Sequence, residues 1–324
     1  MIGVQLANNK IGIIGYGNHA ARIISILEKF EDTEISKIFH PTKKVLEDVG
    51  TNRLEDLFDC DCIFVLSPDE THFEYINRLM NNYNGYIFCE KPIVTEINDL
   101  NELSKIDVSK KKKIFFNFNF RYSRINEILK KCIVENQIGE IIHINIISTH
   151  GLAFKKEYLD SWRSNKNPNN ILDSLGIHYL DLILYNLGGI KNADYFPCLV
   201  SKNGNSYDTC TLTLKTEKTS TMIYCSYANP KINEIIVIGT NGYLTIRDNK
   251  KEVFSPRDCF DEKGFFIKPP AIQSDTFDFD VEYIESLKNS LKYFLDCVVN
   301  KKSIGIANFE KSMITTRMLI ELKH

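Results

Sequence analysis

A short apolar run, a glycine turn and a helix follow one another without a break over residues 10–20, K-I-G-I-I-G-Y-G-N-H-A. Ile11, Ile13 and Ile14 supply a buried strand. Gly15 and Gly17 then occupy places where backbone N–H groups can close on an anion only if no Cβ intrudes. Ala20 completes G-x-G-x-x-A as the small residue that lets the following helix lie against the strand. Ala20, Ile23, Ile24, Leu27 and Phe30 recur at helical spacing, so the turn opens a helix whose N-terminus favours phosphate. The stretch predicts a dinucleotide-binding turn contacted by Gly15, Tyr16, Gly17, Asn18, His19 and Ala20.

The rest of the first third has the pattern that such a turn requires. Strands are predicted at 35–39, 62–66, 86–89 and 113–118, with helical stretches between them, which describes a doubly wound parallel sheet, the Rossmann arrangement. Strand ends in this fold line the cofactor crevice. They bring forward Ser67-Pro68 before a helix starting near Thr71, Glu90-Lys91-Pro92, and Arg121-Tyr122. After the second strand, where NAD-preferring folds usually carry Asp or Glu for the ribose 2′-hydroxyl, the chain has His40, Pro41, Thr42, Lys43 and Lys44. A missing carboxylate beside two ammonium groups tolerates a 2′-phosphate, so NADP is slightly favoured over NAD.

With 324 residues the chain has room for two domains, expected at 1–122 and 123–324. The second begins with alternation over 140–148, Ile142, Ile144 and Ile146 on one face and His143 and Asn145 on the other. Further strand-like runs at 209–214, 221–227, 234–238 and 243–246, the last two joined by an Asn-Gly hairpin signal at 239–242, give an α+β domain on an open, mostly antiparallel sheet. Two helices close the chain, the first with Ile284, Leu287, Leu291, Leu295 and Val298 inward. A sheet with one open face predicts a homodimer or homotetramer.

Composition narrows the partners. A net charge of −2 leaves no footprint for nucleic acid or an anionic membrane, and the basic run 110–113 reads as a solvated loop. Nine cysteines lie scattered without zinc or C-x-x-C spacing, as expected of buried thiols in a reducing cytoplasm, and no metal site is predicted. There is no leader pattern at the N-terminus and no apolar run of membrane-spanning length.

Chemistry concentrates in two places. The helix over 173–187 is apolar almost all round, yet Ser174, His178, Asp181 and Tyr185 align along one stripe, which must face partners, water or a cavity. Either His178 is a core histidine paired with Asp181 or it is catalytic. Lys91 leaves a buried strand at the carboxyl edge of the sheet and is stiffened by Pro92.

Taken together, the G-Y-G-N-H-A turn, Ser67-Pro68 with His72, Glu90-Lys91-Pro92, Trp162-Arg163, and Gly176-Ile177-His178 with Asp181 resemble the glucose-fructose oxidoreductase / inositol dehydrogenase / MocA-like oxidoreductases. The resemblance extends over nearly the whole chain. It implies hydride transfer between nicotinamide and a hydroxyl-bearing carbon of a sugar, sugar nucleotide or cyclitol. His178 is then the general base and Lys91 the group that holds the reacting oxygen, with His72 and Glu90 beside the cofactor. Arg121, Tyr122, Trp162 and Arg163 become candidate substrate contacts. Two departures stand out. Many members carry aspartate one turn before the histidine, where this chain has Ser174 with Asp173 adjacent, and Asn169-Asn170 replace the usual glycines. Either the helix begins irregularly and Asp173 takes the acidic place, or the site runs on His178 and Lys91 alone. The competing expectation is a dinucleotide- or sugar-sensing regulator without turnover.

Overall fold

The computed structural model describes residues 9–42, 48–165, 170–254 and 259–324, with Trp162 by its backbone alone. The chain divides into two compact units, Met1–Asn119 with Leu287–Ile320, and Phe120–Ser286 with Glu321–His324.

The first unit is built on β1 (Asn9–Ile14), β2 (Thr33–Phe39), β3 (Gly50–Thr51), β4 (Cys62–Val65), β5 (Tyr86–Glu90) and β6 (Ile114–Asn117). They pair in the order β3-β2-β1-β4-β5-β6, every pair parallel. This is the predicted Rossmann sheet, and its order reverses between β1 and β4, the switch point at which such sheets open a crevice beyond their carboxyl ends. β4 and β6 are buried at every residue, as continuous apolar strands covered on both faces must be. Helix α1 (Asn18–Leu27) turns Ala20, Ile23, Ile26 and Leu27 inward, Ile26 in place of the Ile24 expected from spacing. Helix α2 (His72–Asn82) follows β4, and α3 (Ile97–Ser104) follows β5.

The second unit carries α4 (Arg124–Glu135), α5 (Ile177–Asn186) and eight strands: β7 (Ile141–Thr149), β8 (Asn192–Cys198), β9 (Thr209–Lys215), β10 (Ser220–Ser226), β11 (Ile232–Gly239), β12 (Gly242–Arg247), β13 (Lys250–Phe254) and β14 (Ala271–Thr276). Their order is β14-β13-β12-β11-β7-β10-β9-β8, antiparallel except for β7 with β10. Register builds the core. Leu212, Ile223, Ile146, Ile235 and Ile246 form one cross-strand row, and all are at most 1% exposed. Ile142, expected on this face, is instead 43% exposed. The register of β7 on β11 shifts there, from Ile238 opposite His143 to Gly239 opposite Ile141, and a bulge re-aims the residue between. In the β11–β12 hairpin Gly239 pairs with Gly242, so Thr240 and Asn241 form the loop, and Gly242 takes φ +128°. Strands β8, β13 and β14 escaped the sequence pattern. β8 contains Pro197, which an edge strand tolerates, and β14 alternates in exposure but is mostly polar.

The closing helices are α6 (Phe279–Val299) and α7 (Ile306–Glu321). Read from the sequence they belong to the second domain; by packing, residues 287–320 go with the first sheet. The Phe294 ring stands edge-on to Phe64 at 5.3 Å and to Phe88 at 5.4 Å, and Phe309 lies 5.4 Å from Phe116. Leu287, Leu291, Leu295 and Val298 are buried as expected, whereas Ile284 is exposed. An apolar helix face does not say which sheet it will cover, so this pairing has no local signal.

Candidate active site

The glycine turn has the form its residues demand. Gly15 takes φ +97°, and a Cβ there would meet the Leu66 carbonyl oxygen and the Ser67 backbone at 2.8 Å. Gly15 is therefore required by the close passage of β1 and β4. Gly17 is the opposite case, since a Cβ added to it meets nothing within 4 Å. Packing does not explain Gly17; open space in front of a helix N-terminus does. Gly17 is the N-cap of α1, no side chain caps the helix, and no acidic residue lies in its first turn. Bare N–H groups, a clear approach and no competing carboxylate fit a pyrophosphate. Tyr16, Gly17 and Asn18 are exposed at this edge, and Ala20, 1% exposed, lies against the sheet.

The other cofactor candidates fall at the same carboxyl edge. His40 follows β2, its backbone N–H donating to Thr51 at 3.0 Å, and its Nδ1 accepts the Thr42 N–H at 3.3 Å. Lys43 and Lys44 lie outside the described residues. Ser67, after β4, accepts from the Thr71 hydroxyl at 2.8 Å, and the exposed Pro68 caps the short turn before α2. His72 is 1% exposed and sits 2.9 Å from the Ser67 carbonyl and 2.7 Å from the Pro92 carbonyl, tying the end of β4 to the turn after β5. Its position is that of a brace. The Lys91-Pro92 bond is cis.

Glu90 links the glycine turn to β5. Its carboxylate lies 3.0 Å from His19 Nε2, accepts Asn117 Nδ2 at 2.7 Å and faces the Lys91 N–H at 3.3 Å. Burial pushes this carboxyl up, but the His19 charge, the hydrogen bonds from His19 and Asn117 and the Lys91 charge together hold it below its usual value. His19, expected at the cofactor, therefore also serves to fix the start of α1 against β5.

In the second unit the helix that carries His178 begins irregularly. Leu172–Gly176 is a π turn, in which the Ile177 N–H reaches back to the Leu172 carbonyl, and α5 follows directly. A regular helix would set Asp173 about 140° from His178, at 100° per residue. Closing over five residues instead of four reduces that offset and brings residues five apart toward one face. Of the two alternatives open in the sequence, the irregular start is the one found. Asp173 is 1% exposed, with one oxygen 2.6 Å from Lys323 Nζ and the other accepting the Asn170 N–H at 3.0 Å. Ser174 turns elsewhere, its hydroxyl 2.7 Å from that of Tyr227.

His178 is 7% exposed and stacks on Phe120 at 4.7 Å. Asp181 is the anion of a buried ion pair. It takes two hydrogen bonds from Arg121, at 2.9 Å from Nε and 2.6 Å from the terminal nitrogen, and both side chains are essentially buried. Tyr185 lies under the same guanidinium at 4.9 Å. Arg121, expected as a substrate contact, is thus an anchor for α5, and half-buried Tyr122 follows it in a short turn.

Arg163 belongs to a polar cluster that the sequence did not assemble. It hydrogen-bonds the Tyr227 hydroxyl, and His150 stacks on the Tyr227 ring at 4.8 Å. Burial raises the Tyr227 phenol, opposed by the charge of Arg163 and by hydrogen bonds from Ser174 and Arg163. Burial lowers His150, and Arg163, Lys155 and Lys231 add to the effect. Trp162 lies on a short helix, Trp162–Asn165, with its side chain outside the described residues, as is Asn169. Tyr227, His150 and Lys323 are the residues missed; each meets the π turn or its neighbours from far along the chain, and no spacing rule joins them. Among the described residues no cluster of potential metal ligands occurs.

Comparison with known proteins agrees with this architecture. Residues 9–118 match the model of the Gfo/Idh/MocA oxidoreductase family, NAD-binding Rossmann fold, and residues 130–322 match the family's C-terminal alpha/beta domain. Glucose-6-phosphate 3-dehydrogenase of Bacillus subtilis is 24% identical over 187 residues, 54% of this chain and 53% of that one. Inositol 2-dehydrogenase of Rhizobium meliloti is 25% identical over 174 residues, 53% and 49% of the two chains. The chain thus spans about half the length of the curated relatives it matches. Among solved structures, an oxidoreductase from Thermotoga maritima superposes with a TM-score of 0.79 at 18% identity, covering 98% of this chain and 96% of that one. An oxidoreductase from Agrobacterium radiobacter in complex with NAD+, L-tartaric acid and magnesium gives 0.76 at 17% identity, with the same coverage. At such identities the superpositions speak for the fold. The family models carry the assignment, since both domains are present in order over most of the sequence: the chain belongs to the Gfo/Idh/MocA family of oxidoreductases.

Proposed function

We propose that the protein is an NAD(P)-dependent oxidoreductase acting on a hydroxyl-bearing carbon of a sugar, sugar nucleotide or related polyol. The observation that carries this reading is the carboxyl edge of the first sheet, where an uncapped helix N-terminus with open space at Gly17 and the lysine that follows β5 emerge on the same side. The dinucleotide would be held by Gly15, Tyr16, Gly17, Asn18, His19 and Ala20, with His40, Thr42, Ser67 and Pro68 along the edge. Its nicotinamide, when bound, takes or gives the hydride.

The chain's own residues handle the proton and the charge. Oxidising a carbinol needs a base for the hydroxyl proton, and imidazole, whose reference pKa in water is near neutrality, suits His178 to that role. The Lys91 ammonium, in the first unit, is suited to stabilising negative charge on a reacting oxygen. Asp173, on the face toward which the π turn brings it, orients the imidazole and offsets its charge when protonated. Arg163 and Tyr227 present hydrogen-bond donors suited to sugar hydroxyls, and Arg163 also suits an anionic substituent. Absence of a carboxylate over residues 40–44 supports NADP as the preferred form.

Seven of the nine cysteines are buried free thiols, which supports a reducing compartment such as the cytoplasm. Among the described residues no helix is long and apolar enough to cross a membrane. Exposed Met222 and Ile238 on the open face of the second sheet support self-association, which light scattering tests directly.

The test of function is cofactor fluorescence titration with NADH and NADPH, followed by turnover on myo-inositol, glucose 6-phosphate and free hexoses with both oxidised cofactors. Binding with NADPH ahead of NADH, and turnover abolished by Lys91→Ala and His178→Gln, is the expected result. Failure to bind either dinucleotide overturns the reading.

A further inference from the structure

Lys323 lies beyond α7, far in sequence from the π turn, yet its ammonium stands 2.6 Å from Asp173 Oδ1 with the two side chains 5% and 1% exposed. Burying a cation and a carboxylate is costly unless each satisfies the other, so a pair this deep is retained for what it fixes. The second carboxylate oxygen is held too, by the Asn170 N–H at 3.0 Å. With both oxygens bonded from different sides, the carboxylate cannot turn. From the sheet the Tyr195 phenol lies near Asp173; burial, with contributions from Cys210 and Asp173, pushes that phenol well up, so it remains neutral. Lys323 is the cation paired with Asp173 in this buried bridge.

We propose that Lys323 is a positioning residue: it holds Asp173 as a fixed carboxylate on the helix face shared with His178, and it acts on the reaction only through Asp173. The inference rests on reading His178 as the base. It differs from a merely structural tether in a measurable way. A tether lost would lower stability and leave kcat as it was, whereas loss of this lysine should also lower kcat, through the carboxylate it holds.

The first measurement is carboxyl NMR on the full chain labelled at aspartate, with the Asp173 signal assigned by Asp173→Asn. In Lys323→Met the Asp173 carboxyl should titrate higher than in wild type, the direction set by loss of the adjacent ammonium. Lys323→Arg should restore the wild-type curve. Lys323→Gln, which keeps a donor without the charge, serves if the methionine variant does not fold, and should shift in the same direction. An Asp173 curve unchanged in these neutral variants overturns the proposal.

The second measurement is turnover of myo-inositol and glucose 6-phosphate with NAD+ and NADP+. Lys323→Met should lower kcat on the order of 10–100-fold with little change in KM, as misplacement of a group remote from the chemistry does. The double variant with Asp173→Asn should be no slower than Asp173→Asn alone. Losses that multiply overturn the proposal. If wild type turns over neither compound, the oxidoreductase reading is what suffers, and the carboxyl titration still tests whether Lys323 sets the charge on Asp173.

Discussion

Two short irregular segments feed helices in this molecule, the glycine turn before α1 and the π turn before α5, and they are stabilised in different ways. At the first, the departure from regular backbone is enforced by the chain itself. Gly15 has a positive φ and a neighbour too close for any Cβ, so residue type and conformation imply one another. At the second, the residues are Leu172, Asp173, Ser174, Leu175 and Gly176, none of which compels a wide turn. Beside local bonds to Asn170 and Ile171, its hold comes from outside, through Lys323 on Asp173 and Tyr227 on Ser174. A segment strained by its own atoms can be read from its own letters. One that is held by distant partners cannot.

The contrast is tested most severely at Gly15. Gly15→Val forces a branched side chain into φ +97° and against the Leu66 and Ser67 backbone, and should destabilise the chain by about 3 kcal/mol or more and abolish dinucleotide binding. Thermal melting and cofactor titration check both. A variant that melts like wild type would show that the first turn is not self-determined.

Next comes the second turn. Asp173→Asn should lower kcat about a hundredfold, while Ser174→Ala, which loses the hydroxyl's bonds to Tyr227, Asn170 and Ile171, should cost about threefold or less. Deleting Ser174 sharpens the question. It returns the segment to regular helix with Asp173 four residues before His178, and kcat should stay closer to wild type than in Asp173→Asn. Equal losses in the deletion and in Asp173→Asn would mean that the wide turn is needed for its own sake.

These two regions also mark how far sequence reasoning reaches. The strand order around β1, the glycine turn and Lys91 at the end of β5 follow from local pattern, because each rests on contacts within a strand-turn-helix unit. His178 is legible as a polar group on an apolar helix. The role of Asp181 is not: it shares the helical spacing but binds Arg121, a residue sixty positions upstream and expected as a substrate contact. The same limit hid the closing helices, whose phenylalanines fit the first sheet although their place in the chain follows the second.

At Gly17 the expected effect is smaller and lies only in binding. Because a Cβ there meets nothing, Gly17→Ala should change stability by no more than about 0.5 kcal/mol and weaken dinucleotide binding about tenfold, read as a rise in Kd without a shift in Tm. A fall in Tm matching that of Gly15→Ala would remove the distinction between a glycine kept by packing and one kept by a ligand.

The smallest expected effect is a difference in how acid weakens the two regions. Glu90, beside the glycine turn, has its carboxyl held below the ordinary 4.5, so its contribution is present above that value and is lost as pH falls through the lower, folded value. His150, beside Tyr227 in the cluster around the π turn, is lowered from 6.5 by burial and by the charges of Arg163, Lys155 and Lys231. The unfolded chain therefore takes up the His150 proton first, and stability begins to fall as pH drops below 6.5, through a window in which Glu90 is still fully effective. His150→Phe keeps a ring to stack on Tyr227 and removes the titration, so its melting temperature should fall less than that of wild type between pH 7 and pH 5, with Glu90→Gln unaffected in that interval and differing from wild type only in stronger acid. Parallel profiles for wild type and His150→Phe would mean that the cationic surroundings of His150 are screened by solvent. Arg163 would then be better placed to meet a neutral hydroxyl than to draw in an anion.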